Sequence, residues 1–238
     1  MQAKEKIIVA LDVNRIETAR NLVAGLQGHV SWYKIGLQLF TLAGPALVKE
    51  VKQSGAKVFL DLKFHDIPNT VQHAVDSACS LGADMLTVHL AGGSEMCRAA
   101  VIGRASASTL LLGVTVLTSQ TELTLFEIGV ERTITQQVIA LAEVAKEAGV
   151  AGLVASPKEL QPLRERFGNR FTIVTPGVRP SWSGSGDQKR VMTPREAVQL
   201  GADYLVIGRP ITGAPDPQAA LTRIVTEMSV SERNHRDL

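Results

Sequence analysis

The densest group of chemistry-bearing residues is the run Asp61-Leu62-Lys63-Phe64-His65-Asp66, which closes the apolar stretch at 57–60. An ammonium set between carboxylates stays protonated, because a nearby opposite charge favours the ionised form, and the same carboxylates fix its position. Such a group can meet a developing negative charge and hand it a proton. Asp61 and Lys63 stand two apart, so on a strand both side chains point to one face. Asp66 falls in the turn beyond, and Pro68 suits the first position of a following helix. A helix cap at Asp66 or Asn69 would account for one residue of the run and leave the Asp-x-Lys pair unexplained.

Other polar residues fall at the ends of similar apolar runs. IIVALD (7–12) ends in Asp12, and WYKIG (32–36) carries Lys34. The remaining runs are 57–63, 85–90, 110–118, 151–156, 171–177 and 204–210; their ends bring His89, Thr118, Ser156, Arg179 and Arg209. Charge at the end of an apolar strand is costly without a partner. Neighbouring strands lie about 4.8 Å apart, so Asp12, Lys34, Asp61 and Lys63 on three consecutive strands can form one alternating cluster.

The elements that must position these groups repeat regularly. Each apolar run is followed by a helical pattern, at 15–27, 41–54, 69–82, 93–106, 131–149, 157–167, 194–201 and 216–228. Several of these close on glycine turns such as Leu81-Gly82-Ala83 and Ala148-Gly149-Val150. Runs rich in Val, Ile and Leu with little alternation suit parallel strands covered on both faces. Eight such units predict an α/β fold, a single (β/α)8 TIM barrel filling 1–238, with a frayed polar tail at 231–238. A doubly wound open sheet is the alternative, weakened because no Gly-x-Gly-x-x-Gly follows the first run. Two connections, 119–130 and 178–192, are long enough to be lids or clamps.

Composition narrows the function further. A net charge of +2 carries no nucleic-acid or membrane-surface footprint, and no apolar run is long enough to span a bilayer. The chain enters a strand pattern at once, without a signal peptide, and Cys79 and Cys97 lack metal-ligand spacing, so a cytoplasmic protein with reduced thiols is expected. No metal site is expected; His89 reads as a hydrogen-bonded strand-end residue, and His65 and His73 as turn and helix residues. Gly177-Val178-Arg179 and Gly208-Arg209-Pro210 follow the seventh and eighth runs. In barrels that pair of strand ends often binds phosphate, and arginine adds a bidentate fork for its oxygens.

DLKFHDIPNT at 61–70, together with ALD at 10–12, YKIG at 33–36, VLT at 116–118, PGVRP at 176–180, GDQKR at 186–190 and VIGRPI at 206–211, resembles the bacterial orotidine 5′-phosphate decarboxylase family. The resemblance covers nearly the whole chain in order. It implies cofactor-free conversion of orotidine 5′-phosphate to UMP and carbon dioxide, the last step of pyrimidine nucleotide synthesis. It implies Lys63 as the acid that protonates C6, Asp61 beside the departing carboxylate, and a Lys34, Asp61, Lys63, Asp66 charge network. Asp12 and Lys34 are implied at the ribose, Thr118 at the pyrimidine, and Arg179, Gln188, Gly208 and Arg209 at the phosphate and its closing loop. A homodimer is implied, with Asp66, Ile67 and Thr70 serving the partner's site. The shorter Asp-x-Lys-x-x-Asp core also occurs in metal-dependent sugar-phosphate decarboxylases of the same superfamily. That branch, of metal-dependent sugar-phosphate decarboxylases or epimerases, is the alternative reading and would use Asp61 as a metal ligand, with His65 or His89.

Overall fold

The computed structural model describes residues 2–183 and 192–229. Eight parallel strands close a barrel in chain order, the last pairing with the first. They are β1 (Ile7–Ala10), β2 (Trp32–Gly36), β3 (Lys57–Phe64), β4 (Met85–His89), β5 (Leu110–Val114), β6 (Gly152–Val154), β7 (Thr172–Pro176) and β8 (Tyr204–Ile207). Around them run α1 (Ile16–Gly25), α2 (Leu37–Gln53), α3 (Pro68–Ser80), α4 (Gly93–Arg104) and α5 (Glu122–Glu127). The circuit continues with α6 (Ile134–Ala148), α7 (Leu160–Phe167), α8 (Pro194–Gln199), α9 (Arg209–Thr212) and α10 (Pro217–Ser229). The expected (β/α)8 barrel is the observed one.

The weak alternation of the strands now has a cause. One face of each strand fills the barrel, through Ile8, Trp32, Phe59, Met85, Leu112, Val174 and Val206. The other face meets the helices, through Ile7, Val9, Tyr33, Leu60 and Leu86 among others. Both faces are apolar because neither sees water.

On β2, β3 and β4 this inward series changes character toward the carboxyl ends. Trp32 gives way to Lys34 and Gly36, Phe59 to Asp61 and Lys63, and Met85 to Thr87 and His89. The register sets Lys34 level with Phe59 and Gly36 level with Asp61, so Asp61 stands one inward position beyond the partner of Lys34, within reach of its side chain.

Three local differences from the sequence expectation have physical reasons. Helix α2 begins at Leu37 instead of 41, and its backbone breaks at Gly44 (φ 60°, ψ −157°), where only glycine fits without strain. Pro45 then opens the longer second segment. The stretch 119–130, expected as loop, holds α5, capped by Thr121 accepting from the Thr124 N–H; six residues are too few to show helical periodicity in a sequence. The strands also stop sooner than the apolar runs: β1 ends at Ala10 and β5 at Val114, leaving Asp12 and Thr118 on the loops beyond. Of 178–192, residues 184–191 lie outside the described residues, and so does the tail 231–238.

Candidate active site

Four charged side chains from three adjacent units alternate in sign at the top of the barrel. Lys34 Nζ lies 2.9 Å from Asp12 Oδ1 and 3.6 Å from Asp61 Oδ2. Lys63 Nζ lies 2.8 Å from Asp61 Oδ1. Lys34 and Asp61 are nearly out of solvent, with side chains 10% and 12% exposed, while Asp12 at the outer end is 58% exposed. Two buried charges therefore sit at the centre of the row, and each has an opposite charge on both sides. Burial pushes the Asp61 carboxyl up, but Lys34, Lys63 and the hydroxyl of Thr87 together hold it below the usual carboxylate range. Gly36 leaves the space this arrangement needs: a Cβ there would stand 3.0 Å from Lys34 Nζ and 3.2 Å from Asp12 Oδ1.

The backbone at Lys63 is unusual. Its φ of 51° lies in the left-handed region that L side chains rarely adopt, and the β3–β4 pairing shifts register between Leu60 and Phe64 around it. Lys63 N–H donates to Thr87 Oγ1 at 2.8 Å, and Thr87 Oγ1 donates to Asp61 Oδ1 at 3.0 Å. Sequence reasoning missed Thr87, because a single threonine in an apolar strand reads as an ordinary β-former. The available signal was its place two residues before His89, on the inward face.

The charged row forms one side of a cavity of about 430 Å³. Phe59, Val114, Val116, Val154 and Val206 supply apolar wall; Thr118 and Ser156 supply hydroxyls; Arg179, Gly208 and Arg209 stand at the β7 and β8 ends. Arg179 is buried and Arg209 is exposed. Thus Asp12, Lys34, Asp61, Lys63, Thr118, Arg179, Gly208 and Arg209, singled out from sequence, all line one cavity. Asp66, Ile67 and Thr70 do not line it, and Gln188 lies outside the described residues. Asp66 Oδ1 accepts from the N–H of Ile67, its own neighbour, at 2.6 Å. Helix α3 starts at Pro68 with no side-chain cap, so capping does not explain Asp66.

His65 and His89 face one another beside Lys63, their ring centres 5.5 Å apart. Burial, and after it the neighbouring His65 and Lys63, push His89 below its ordinary value, against the pull of Asp61. Burial raises the Cys97 thiol to about 11, which keeps it an unreactive packing residue. Among the described residues, no three His, Cys, Asp or Glu side chains gather as a metal-ligand set.

The chain as a whole is similar to known proteins in sequence and in fold. The sequence model described as "Orotidine 5'-phosphate decarboxylase / HUMPS family" matches residues 5–224. An orotidine 5′-phosphate decarboxylase of Moorella thermoacetica is 52% identical, over 97% of this chain and 94% of its own length. One from Heliobacterium modesticaldum is 48% identical, over 96% of this chain and 98% of its own. The crystal structure of orotidine 5′-phosphate decarboxylase from Lactobacillus acidophilus superposes with a TM-score of 0.83 at 38% identity, covering 94% of this chain and 99% of that one.

Proposed function

The chain belongs to the orotidine 5′-phosphate decarboxylase / HUMPS family, and from that membership we propose that it decarboxylates orotidine 5′-phosphate to UMP and carbon dioxide in pyrimidine nucleotide synthesis. The observation that carries the reading is the alternating row Asp12, Lys34, Asp61, Lys63 in a cavity whose far rim holds Arg179 and Arg209.

The chemistry accounts for that arrangement. The bond from C6 to the carboxylate breaks and its electron pair stays on C6, in the plane of the pyrimidine ring, where the ring π-system delocalises it poorly. Fixed positive charge must stabilise it, with a proton close by. Lys63 supplies both: its Nζ–H proton passes to C6, and the neutral amine is then reprotonated from solvent. One charge pair at about 4 Å with an effective dielectric near 20 is worth about 4 kcal/mol, whereas enzymes lower barriers by roughly 8–23 kcal/mol. Preorganised surroundings and binding energy from the remote phosphate supply the difference.

In this reading Asp61 has two roles. It keeps Lys63 charged and aimed, and being ionised itself it stands against the substrate carboxylate that must leave. Asp12 and Lys34 hold the ribose hydroxyls, Thr118 the pyrimidine, and Arg179, Gln188, Gly208 and Arg209 the phosphate. No cofactor takes part. The enzyme is a cytoplasmic homodimer in which Asp66, Ile67 and Thr70 of each protomer complete the partner's site, adding Asp66 to the charge network.

Purified protein mixed with orotidine 5′-phosphate should bleach the orotidine absorbance as UMP forms, equally with and without EDTA. Loss of activity in EDTA would transfer the protein to the metal-dependent sugar-phosphate branch. Absence of turnover in both conditions would defeat the reading.

A further inference from the structure

We propose that Thr87 is a positioning residue for the decarboxylation, its hydroxyl locking the backbone of Lys63 and the carboxylate of Asp61 into one unit. The inference rests on the decarboxylase reading above and extends it to a strand that carries none of the charged groups.

Thr87 is completely buried, on a strand whose other residues, Met85, Leu86 and Val88, are apolar up to His89. A hydroxyl in such a place is costly unless it is fully engaged. Here the direction of each bond is dictated by chemistry. A backbone N–H only donates, so Thr87 Oγ1 accepts from Lys63 at 2.8 Å. Its own proton is left for Asp61 Oδ1 at 3.0 Å, and an ionised carboxylate only accepts.

Each end of this relay has a specific consequence. At one end, the hydroxyl meets the Lys63 N–H where the β3–β4 register shifts and the lysine backbone turns left-handed. A conformation that side-chain-bearing residues rarely adopt persists only when its surroundings over-determine it, and this hydrogen bond is one such constraint. At the other end, Asp61 Oδ1 receives two donors, Lys63 Nζ and Thr87. With Oδ1 pinned, the carboxylate cannot rotate freely, and Oδ2 is directed toward Lys34. A single hydroxyl thereby fixes both where the lysine stem starts and where its counter-ion stands.

Thr87→Val exchanges the hydroxyl for a methyl of nearly the same size, leaving the packing filled while the Lys63 N–H loses its acceptor and Asp61 loses one of its donors. We expect kcat for orotidine 5′-phosphate to fall about 10- to 100-fold, the scale that small misplacements of a reacting group produce. KM and the affinity for UMP should stay within about threefold, since the side chains assigned to phosphate and ribose are all retained and Lys34 keeps its pairing with Asp12. Thr87→Ser, which keeps the hydroxyl, should recover kcat to within about threefold of the wild type. A merely structural threonine would instead lower thermal stability and the active fraction, with kcat per active site preserved. Should Thr87→Val not fold, Thr87→Ala carries the same comparison. A valine variant with kcat within about twofold of wild type, or a serine variant as impaired as valine, overturns the proposal.

A wild type inactive on orotidine 5′-phosphate would refute the decarboxylase reading alone, and a second readout then decides on Thr87. The rate at which acetic anhydride labels Lys63, mapped on peptides across pH, reports the environment of that amine without any substrate. Thr87→Val should change that rate at least about threefold, and an unchanged labelling profile overturns the proposal.

Discussion

Lys63 is the residue on which the proposed chemistry turns, and its surroundings say how much it should contribute. Removing the ammonium in Lys63→Ala deletes a charge worth about 4 kcal/mol at contact distance, so kcat should fall by at least about a thousandfold. UMP binding should survive, because the groups assigned to phosphate and ribose are untouched; steady-state rates and a UMP titration check the two halves. A variant that keeps more than a tenth of wild-type kcat would place the proton donor elsewhere. His89 makes a second, independent prediction. Burial, and after it the neighbouring His65 and Lys63, depress its basicity in the fold, with Asp61 opposing, while in the unfolded chain it titrates near 6.5. As pH falls below that value the unfolded state takes up a proton that the folded state refuses, so acidification costs stability. His89→Phe keeps a ring against His65 and removes the titration. Denaturant midpoints measured from pH 7.5 to pH 5 should therefore decline less steeply in His89→Phe than in the wild type. Parallel slopes would show that His89 does not contribute to the acid sensitivity.

At the level of elements, the strand ends carry the site, and this explains what was legible. The eight apolar runs and glycine-closed helices gave the barrel, because strands buried on both faces and helices with one apolar stripe leave strong composition patterns. Lys34, Asp61 and Lys63 stood out because charge interrupts an apolar strand. Thr87 did not, because threonine is at home in strands whatever it touches. The bend at Lys63 was invisible as well, since a left-handed lysine arises from the β3–β4 register shift and leaves no mark on composition. Gly36 shows the same limit: it reads as a strand-end glycine, yet its missing side chain is the room in which Lys34 meets Asp12. Gly36→Ala should test that reading. The new Cβ would press on the far ends of two side chains and not on backbone, so stability should change by less than about 1 kcal/mol. The pairing of Lys34 with the exposed Asp12 would be loosened, Lys34 keeping Asp61, and KM for orotidine 5′-phosphate should rise about tenfold. A large loss of thermal stability with unchanged KM would mean that Gly36 serves the fold and not the row of charges.

At the scale of the whole molecule, one chain leaves two features unabsorbed: the remainder of the Asp-x-Lys-x-x-Asp run and a set of exposed apolar side chains. Asp66 and Thr70 are exposed and line no part of the cavity in their own chain. Ile67, Leu123, Phe126 and Ile128 are each about two-thirds exposed. They belong to segments that follow β3 and β5, on the same side of the barrel as the cavity. Large apolar side chains left in water mark interaction surfaces when they gather, and an isologous dimer would deliver whatever one protomer gives to its partner reciprocally. If Asp66 acts in the partner's site, Lys63→Ala and Asp66→Ala chains should each be nearly inactive alone, since every site in either homodimer lacks one group. Mixed under conditions of subunit exchange, about half of the dimers become heterodimers, and each contains one site with both residues intact. Activity should then return to about a quarter of the wild-type value per chain, rising with the time course of exchange. If activity stays at the level of the separate variants while labelled subunits are seen to exchange, each protomer works alone and Asp66 serves its own turn.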